Sequence, residues 1–134
     1  MWHEKRLIGG MCHYLLPNRS MSNRTAPDGR YADEAIELFM REIRAANTEP
    51  SEYQVKIFGG GNMFPRSKRR EKYINVPSKN VLAARELAKL YALNLRGANL
   101  GAAGHRQIIF DVWSGHVWVR HVAIQNPDSE HMSP

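Results

Sequence analysis

The spacing of apolar side chains predicts two helices in this chain. In residues 31–47 (YADEAIELFMREIRAAN) apolar side chains recur every three or four positions, with most charged side chains between them. Asp33 and Glu34 fall in the first turn, where the helix dipole favours negative charge, and the acidic side chains of this helix are expected to face solvent. A second amphipathic stretch begins at about Ser78 and continues to residue 95 (SKNVLAARELAKLYALNL).

Three other stretches have the patterns of β-strands. Residues 6–17 (RLIGGMCHYLLP) form a short apolar run that favours a buried strand. Residues 53–64 (YQVKIFGGGNMF) alternate apolar and polar side chains before three glycines end the pattern. Residues 106–122 (RQIIFDVWSGHVWVRHV) predict two strands joined by a hairpin turn at Ser114 and Gly115.

The resulting order β, α, β, α, β, β is that of a layered domain. It predicts an α/β (α+β) fold class, a layered α/β sandwich in which a mixed sheet is flanked by two helices. Residues 17–30 form a loop long enough to suggest a lid or binding loop, and residues 96–106 are expected to form a glycine-rich connection. We expect one domain over residues 1–124 and a disordered polar tail at 125–134.

Composition narrows the class of protein. A chain of 134 residues, 43% hydrophobic and 24% charged, is long enough to bury a core as a soluble domain. Its single cysteine excludes an internal disulfide framework and favours the cytoplasm, and no apolar run reaches the ~18 residues that span a bilayer. The net charge of +6 is concentrated at residues 66–72 (RSKRREK), interpreted as a solvated loop, with nucleic-acid binding as the alternative.

The adjacent pair Cys12 and His13 raises the question of a cysteine enzyme. A nucleophile and its base need heavy atoms within about 3 Å of each other, whereas neighbours on a strand point to opposite faces. If residues 6–17 form a strand, Cys12 packs as a small buried hydrophobe and His13 alone is a catalytic candidate. The histidines lack the spacing of a metal site. The glycines at 59–61 fit either a tight turn or an oxyanion-stabilising loop, and both interpretations stay open.

Four segments together resemble the chemoreceptor glutamine deamidase family CheD. They are IGGMCHYLLP, GRYADEAIELFMREI, KIFGGGNMF and NLGAAGHRQIIFDVWSGHVWVR, which follow the family's order over nearly the whole chain. The resemblance implies a fold like that of the deamidating cytotoxic necrotizing factors. It also implies a hydrolase that converts glutamine to glutamate on methyl-accepting chemotaxis receptors through a cysteine thioester.

The same resemblance assigns roles to two residues of this chain. His13 would be the general base, and Asn62, in the block Gly-Gly-x-Asn-Met-Phe, would bind substrate. No cofactor, no metal, no nucleic acid and no membrane insertion are implied. Besides the chemoreceptors, a chemotaxis phosphatase of the CheC type is a candidate partner.

One block of the family is absent from this sequence. The family's nucleophilic cysteine lies upstream of the histidine in a Leu-Gly-Ser-Cys block, with an assisting threonine earlier still, and only twelve residues precede His13 here. We therefore expect the native protein to extend upstream of Met1 with further N-terminal strands, and this chain alone to be catalytically inactive. The alternative is a non-catalytic module that binds chemoreceptor helices or a phosphatase partner.

Overall fold

Two helices and six strands form the part of the chain that the structure, a computed structural model, describes: residues 1–19, 26–61 and 75–122. The elements are β1 (Trp2–His3), β2 (Ile8–Gly9), α1 (Ala32–Ala45), β3 (Gln54–Gly59), α2 (Asn75–Leu90), β4 (Asn94–Leu100), β5 (His105–Phe110) and β6 (Val117–Val122), with a 3₁₀ helix at Pro50–Glu52. Within these ranges neither helix has both the length and the apolar character needed to cross a bilayer. The basic run at 66–72 and the predicted tail at 125–134 lie outside the described residues.

The strands form two sheets. In the first, the order is β2, β1, β3, β4, with β1 antiparallel to both neighbours and β3 parallel to β4. Helix α2 lies between β3 and β4 in the chain, as a parallel connection requires. The second sheet is the antiparallel hairpin of β5 and β6. The predicted α/β (α+β) class is confirmed, and the hairpin forms a sheet of its own.

Helix α1 confirms the first predicted helix and supplies much of the core. The apolar side chains that it buries are Ala32, Ala35, Met40 and Ile43. Met40 and Ile43 pack together with Tyr53, just before β3, in the central cluster. Because burying a side chain of this size contributes about 1.5–3 kcal/mol, this contact fixes α1 against the first sheet.

Glu34 does not face solvent, contrary to the prediction for the acidic residues of α1. Its side chain is 3% exposed and accepts hydrogen bonds from Arg19 at 3.0 and 2.8 Å and from the backbone N–H of Asp28 at 2.7 Å. A buried carboxylate is tolerated only when it is paired and hydrogen-bonded in this way. Glu34 therefore fastens both described ends of the loop at 17–30 to α1.

The opening segment, residues 6–17, is not the continuous strand that its apolar pattern predicts. Only Ile8–Gly9 pairs with β1, and the residues that follow have no regular secondary structure. Backbone hydrogen bonds hold Gly10 to the first residue of the chain and Leu15 to the carbonyl of Arg30. Because the backbone changes partner between these two points, the residues between them join no ladder and lose the alternation of faces of a strand.

The second helix ends earlier than predicted, and a strand that the pattern did not reveal follows it. Ala92, with a φ of +50°, ends the helical path, and the N–H of Leu93 bonds back to the carbonyl of Ala88. β4 then runs parallel to β3 where a glycine-rich connection was predicted. β4 contains Gly97, and its apolar and polar side chains do not alternate regularly. Pairing with β3 therefore determines its conformation more than its own residues do.

The predicted hairpin is confirmed together with its turn. Ile108 of β5 faces Val119 of β6, and Gly115 in the turn has a φ of +73°. The ring of Trp2 packs against Gly115, and its Nε1 donates a hydrogen bond of 2.6 Å to the carbonyl of Val112. The hairpin is thereby docked on β1, with β5 in contact with β3.

Candidate active site

A cavity of about 450 Å³ lies between the two helices, β3 and the hairpin. Its walls are mostly apolar and come from every one of these elements, including Ile36, Phe39, Leu87, Ile108 and Phe110. Its polar lining residues come from the irregular segment after β2, from β3 and from β5; they are Cys12, His13, Tyr14, Gln54, Lys56 and Arg106. An apolar pocket with a few convergent polar groups is the usual form of an active site.

His13 lines this cavity. Its side chain is exposed, and no group in the described part of the chain is hydrogen-bonded to it. An imidazole in this position can take a proton from, or give one to, a group held in the cavity.

Cys12 lines the same cavity. The expectation that it packs on the opposite face from His13 depended on a strand, and the segment that carries both residues has no regular secondary structure. Cys12 is also exposed rather than a buried hydrophobe. Desolvation by the protein around the cavity nevertheless raises the pKa of its thiol, which lowers the thiolate fraction at neutral pH. Within the described ranges, no hydrogen bond joins it to His13.

The residues that follow His13 are tied to α2. The hydroxyl of Tyr14 donates a hydrogen bond of 3.0 Å to the backbone carbonyl of Asn80, and Nδ2 of Asn80 donates one of 2.9 Å to the carbonyl of Leu15. Burial, together with the nearby Cys12 thiol, raises the pKa of Tyr14, so its phenol remains a donor at neutral pH. The second turn of α2 therefore holds the segment that carries His13.

Two cationic side chains also line the cavity. Nζ of Lys56 donates to the carbonyl of Gly115 at 3.3 Å, and Arg106 donates to Oδ1 of Asn99 at 2.8 Å and to the carbonyl of Gly101 at 2.6 Å. No carboxylate belongs to the lining in the described part of the chain. Fixed positive charge beside apolar walls stabilises negative charge that develops on a bound group.

The glycine turn after β3 allows a close approach of two elements. Gly60 has a φ of +67°, and a Cβ there would lie 2.3 Å from Cγ2 of Val81 on α2. Only glycine fits such a position, as the tight-turn interpretation predicts. Gly59, Gly60 and Gly61 do not belong to the cavity lining, and the oxyanion alternative stays untested. Asn62, the predicted substrate-binding residue, lies outside the described residues.

Four residues at or beside the cavity were not predicted: Tyr14, Lys56, Asn80 and Arg106. Each stands in an ordinary helical, strand or apolar pattern, and no spacing in the sequence marks it. Lys56 and Arg106 come together because β3 and β5 border one cavity, and Tyr14 meets Asn80 because the segment after β2 lies against α2. Across the described ranges, no group of three or more His, Cys, Asp or Glu side chains is placed to hold a metal ion.

Comparison with known proteins relates this cavity to one family. The family described as CheD, chemotactic sensory transduction, matches residues 15–121, a range that begins two positions after His13. A probable chemoreceptor glutamine deamidase CheD of Pseudomonas syringae pv. tomato is 48% identical over 124 residues, covering 92% of this chain and 73% of that protein. Probable CheD deamidases of Pseudomonas savastanoi pv. phaseolicola and Dechloromonas aromatica are 52% and 42% identical, covering 90% and 89% of this chain and 67% and 69% of their own length. The chain belongs to the CheD family.

Proposed function

We propose that this protein is a glutamine deamidase that acts on chemoreceptors in the cytoplasm, with His13 as its general base. The observation that carries the proposal is an exposed imidazole at an apolar cavity whose other ionic side chains, Lys56 and Arg106, are cations. The relatives are named probable chemoreceptor glutamine deamidases, which supports chemoreceptors as the substrate. A chemotaxis phosphatase of the CheC type remains a further candidate partner.

The cavity suits the charge changes of deamidation. A cysteine thiolate attacks the side-chain amide carbon, and the carbonyl oxygen becomes an oxyanion that Lys56 and Arg106 would stabilise. His13 takes the thiol proton and gives it to the departing amine, so that ammonia leaves and a thioester remains. His13 then takes a proton from water, and the hydroxide adds to the thioester. The C–S bond breaks, the sulfur takes the proton from His13, and the thiol and a glutamate side chain are released.

Cys12 does not meet the needs of the nucleophile. Its thiol pKa is raised by desolvation, whereas a nucleophilic cysteine is activated by a lowered pKa or an adjacent base. We infer that the nucleophile comes from a segment upstream of Met1.

We place such a segment along the edge of β3 with which β1 pairs. β1 is antiparallel to β3 and pairs with it at Trp2 and Gln54 only, so residues preceding β1 would continue along β3 from Val55 onward. In the described part of the chain no strand pairs with that edge beyond Gln54, and Lys56, Ile57 and Phe58 line the cavity. A cysteine on a strand added there would enter the space that His13 lines.

The test compares the 134-residue chain with the longer product of its own locus. Each is incubated with a purified cytoplasmic fragment of a chemoreceptor from the same organism, and conversion of glutamine to glutamate is followed by peptide mass spectrometry. We expect the longer chain to deamidate the fragment and the 134-residue chain not to do so.

Two variants of the longer chain assign the residues. His13→Ala should abolish deamidation, and Cys12→Ser should leave it largely intact. A folded Cys12→Ser variant without activity would assign the nucleophile to Cys12 instead. Retention of the receptor fragment without any deamidation would favour the non-catalytic binding module.

A further inference from the structure

The orientation of His13 has to come from the backbone on either side of it. Its imidazole has no hydrogen-bond partner in the described part of the chain, and residues 11–13 make no backbone hydrogen bond to another segment there. On the N-terminal side the nearest anchor is the bond from the N–H of Gly10 to the first residue. The anchors on the C-terminal side begin at the very next residue, Tyr14.

Two of those C-terminal anchors converge on Asn80, while the N–H of Leu15 is bonded to the carbonyl of Arg30. The backbone carbonyl of Asn80 accepts the hydrogen bond from Tyr14 Oη at 3.0 Å, and its side-chain Nδ2 donates to the carbonyl of Leu15 at 2.9 Å. Oδ1 of the same amide is buried and has no partner within the described ranges. Exchanging the amide nitrogen and oxygen would oppose two acceptors at Leu15, so the Nδ2 contact defines the orientation of the side chain.

We propose that Asn80 is a positioning residue that, through Tyr14 and Leu15, holds His13 at the cavity. The proposal rests on the proposed function, since it concerns the placement of the general base. It assigns no contact between Asn80 and the substrate. Proton transfer requires the base to lie within hydrogen-bond reach of the reacting group, and a small misplacement of a catalytic group reduces the rate strongly.

The helix that carries Asn80 does not depend on this contact. α2 is held by the buried side chains of Ala84 and Ala88 and by its packing against α1 and β3. The tether therefore connects a stable helix to an irregular segment, and its loss should alter the segment and leave the helix in place.

The first experiment uses NMR on the 134-residue chain. Asn80→Asp keeps the shape of the side chain and removes its donor, and Tyr14→Phe removes the other hydrogen bond. We expect either variant to shift or broaden the imidazole signals of His13, while the amide signals of α2 from residue 84 onward stay unchanged. Asn94→Asp, at the start of β4, introduces the same charge without a side-chain hydrogen bond to lose and serves as the control.

The second experiment measures deamidation by the upstream-extended chain. Asn80→Asp should reduce kcat roughly 10- to 100-fold with little change in KM, and Asn80→Gln, which retains an amide donor, should recover part of the loss. An unchanged His13 spectrum and unchanged kcat in Asn80→Asp would overturn the proposal, as would a lower Tm with an unchanged His13 spectrum. An active His13→Ala variant would instead refute the role of His13 in the proposed function.

Discussion

At the scale of single residues, Cys12 and His13 are adjacent in the chain but do not form a nucleophile–base pair. Both residues line one cavity, yet desolvation raises the pKa of the thiol, and no hydrogen bond within the described ranges joins the two side chains. The sequence argued against Cys12 as the nucleophile because neighbours on a strand point to opposite faces. The structure argues against it because the pKa of its thiol is raised. Adjacency in sequence is a poor guide to a catalytic pair, because activation depends on the surroundings of the thiol.

The thiol pKa predicts slow alkylation of Cys12. Only the thiolate reacts, so a pKa above the ordinary value leaves less of the reactive form at neutral pH and shifts the rate profile to higher pH. Since the chain has one cysteine, iodoacetamide labelling followed by intact mass reports on this residue alone. We expect labelling at neutral pH to be slower in the folded chain than in the chain unfolded in guanidinium. Equal or faster labelling of the folded chain would restore Cys12 as a candidate nucleophile.

At the scale of elements, the hairpin turn is favoured both by its own residues and by a contact with a distant residue. Ser114 and Gly115 predict the turn from sequence, because glycine adopts positive φ readily. The structure adds a second reason for glycine, namely the ring of Trp2 packed against that position. β4 is the opposite case, since its residues carry a weak pattern and its pairing with β3 supplies the structure.

Substituting Gly115 should therefore destabilise the protein for two separate reasons. In Gly115→Ala the methyl group would have to occupy a left-handed backbone position and lie 2.3 Å from the ring of Trp2. We expect a loss of about 2–4 kcal/mol in the free energy of unfolding, measured with urea.

Gly29→Ala is the matched control for this substitution. Its Cβ would meet only Leu38 Cδ1, at 4.0 Å, and its backbone lies outside the left-handed region. Its stability should change by less than about 1 kcal/mol. Equal effects of the two substitutions would show that the Trp2 contact does not hold the hairpin.

At the scale of the whole molecule, the cavity separates elements that would otherwise pack on one another. The core cluster lies on the α1 side, whereas α2, β3 and the hairpin surround about 450 Å³ of space. Apolar side chains that line such an open cavity keep part of their surface in contact with solvent, so they contribute less to stability than fully buried ones. The proposed upstream strand would occupy part of the cavity and pair with β3 along the edge that, among the described residues, no strand pairs with beyond Gln54.

This arrangement predicts that one substitution has opposite effects in two lengths of the chain. Ala88 on α2 lines the cavity and is buried, so Ala88→Leu should stabilise the 134-residue chain by about 0.5–2 kcal/mol. In the upstream-extended chain, where the space is filled, the same change should destabilise by about 1–3 kcal/mol. Ala45→Leu, at the exposed end of α1, should have little effect in either.

The extended chain itself should also melt at a higher temperature than the 134-residue chain, since a strand added to β3 covers an open edge and apolar walls. Thermal unfolding of the four variants and both parents measures these effects together. Equal melting temperatures of the two parent chains, or the same sign for Ala88→Leu in both, would contradict the placement of the upstream segment along β3.

The amino-acid sequence by itself determined the features that depend on local periodicity and turn chemistry. The first helix, the strand at β3 with its glycine turn, and the hairpin around Gly115 all follow from side chains within a few positions of one another. The family resemblance also came from the sequence, because its blocks keep their order along the chain.

The tertiary structure decided what depends on residues distant in the chain. It broke the predicted opening strand by giving Gly10 and Leu15 different partners, it made a strand of β4, and it buried Glu34 against Arg19. It also brought Lys56 and His13 to the lining of one cavity. The physical reason is common to all four: backbone pairing, burial and the shape of a cavity arise from contacts between elements, and a local pattern of apolar and polar residues does not specify them.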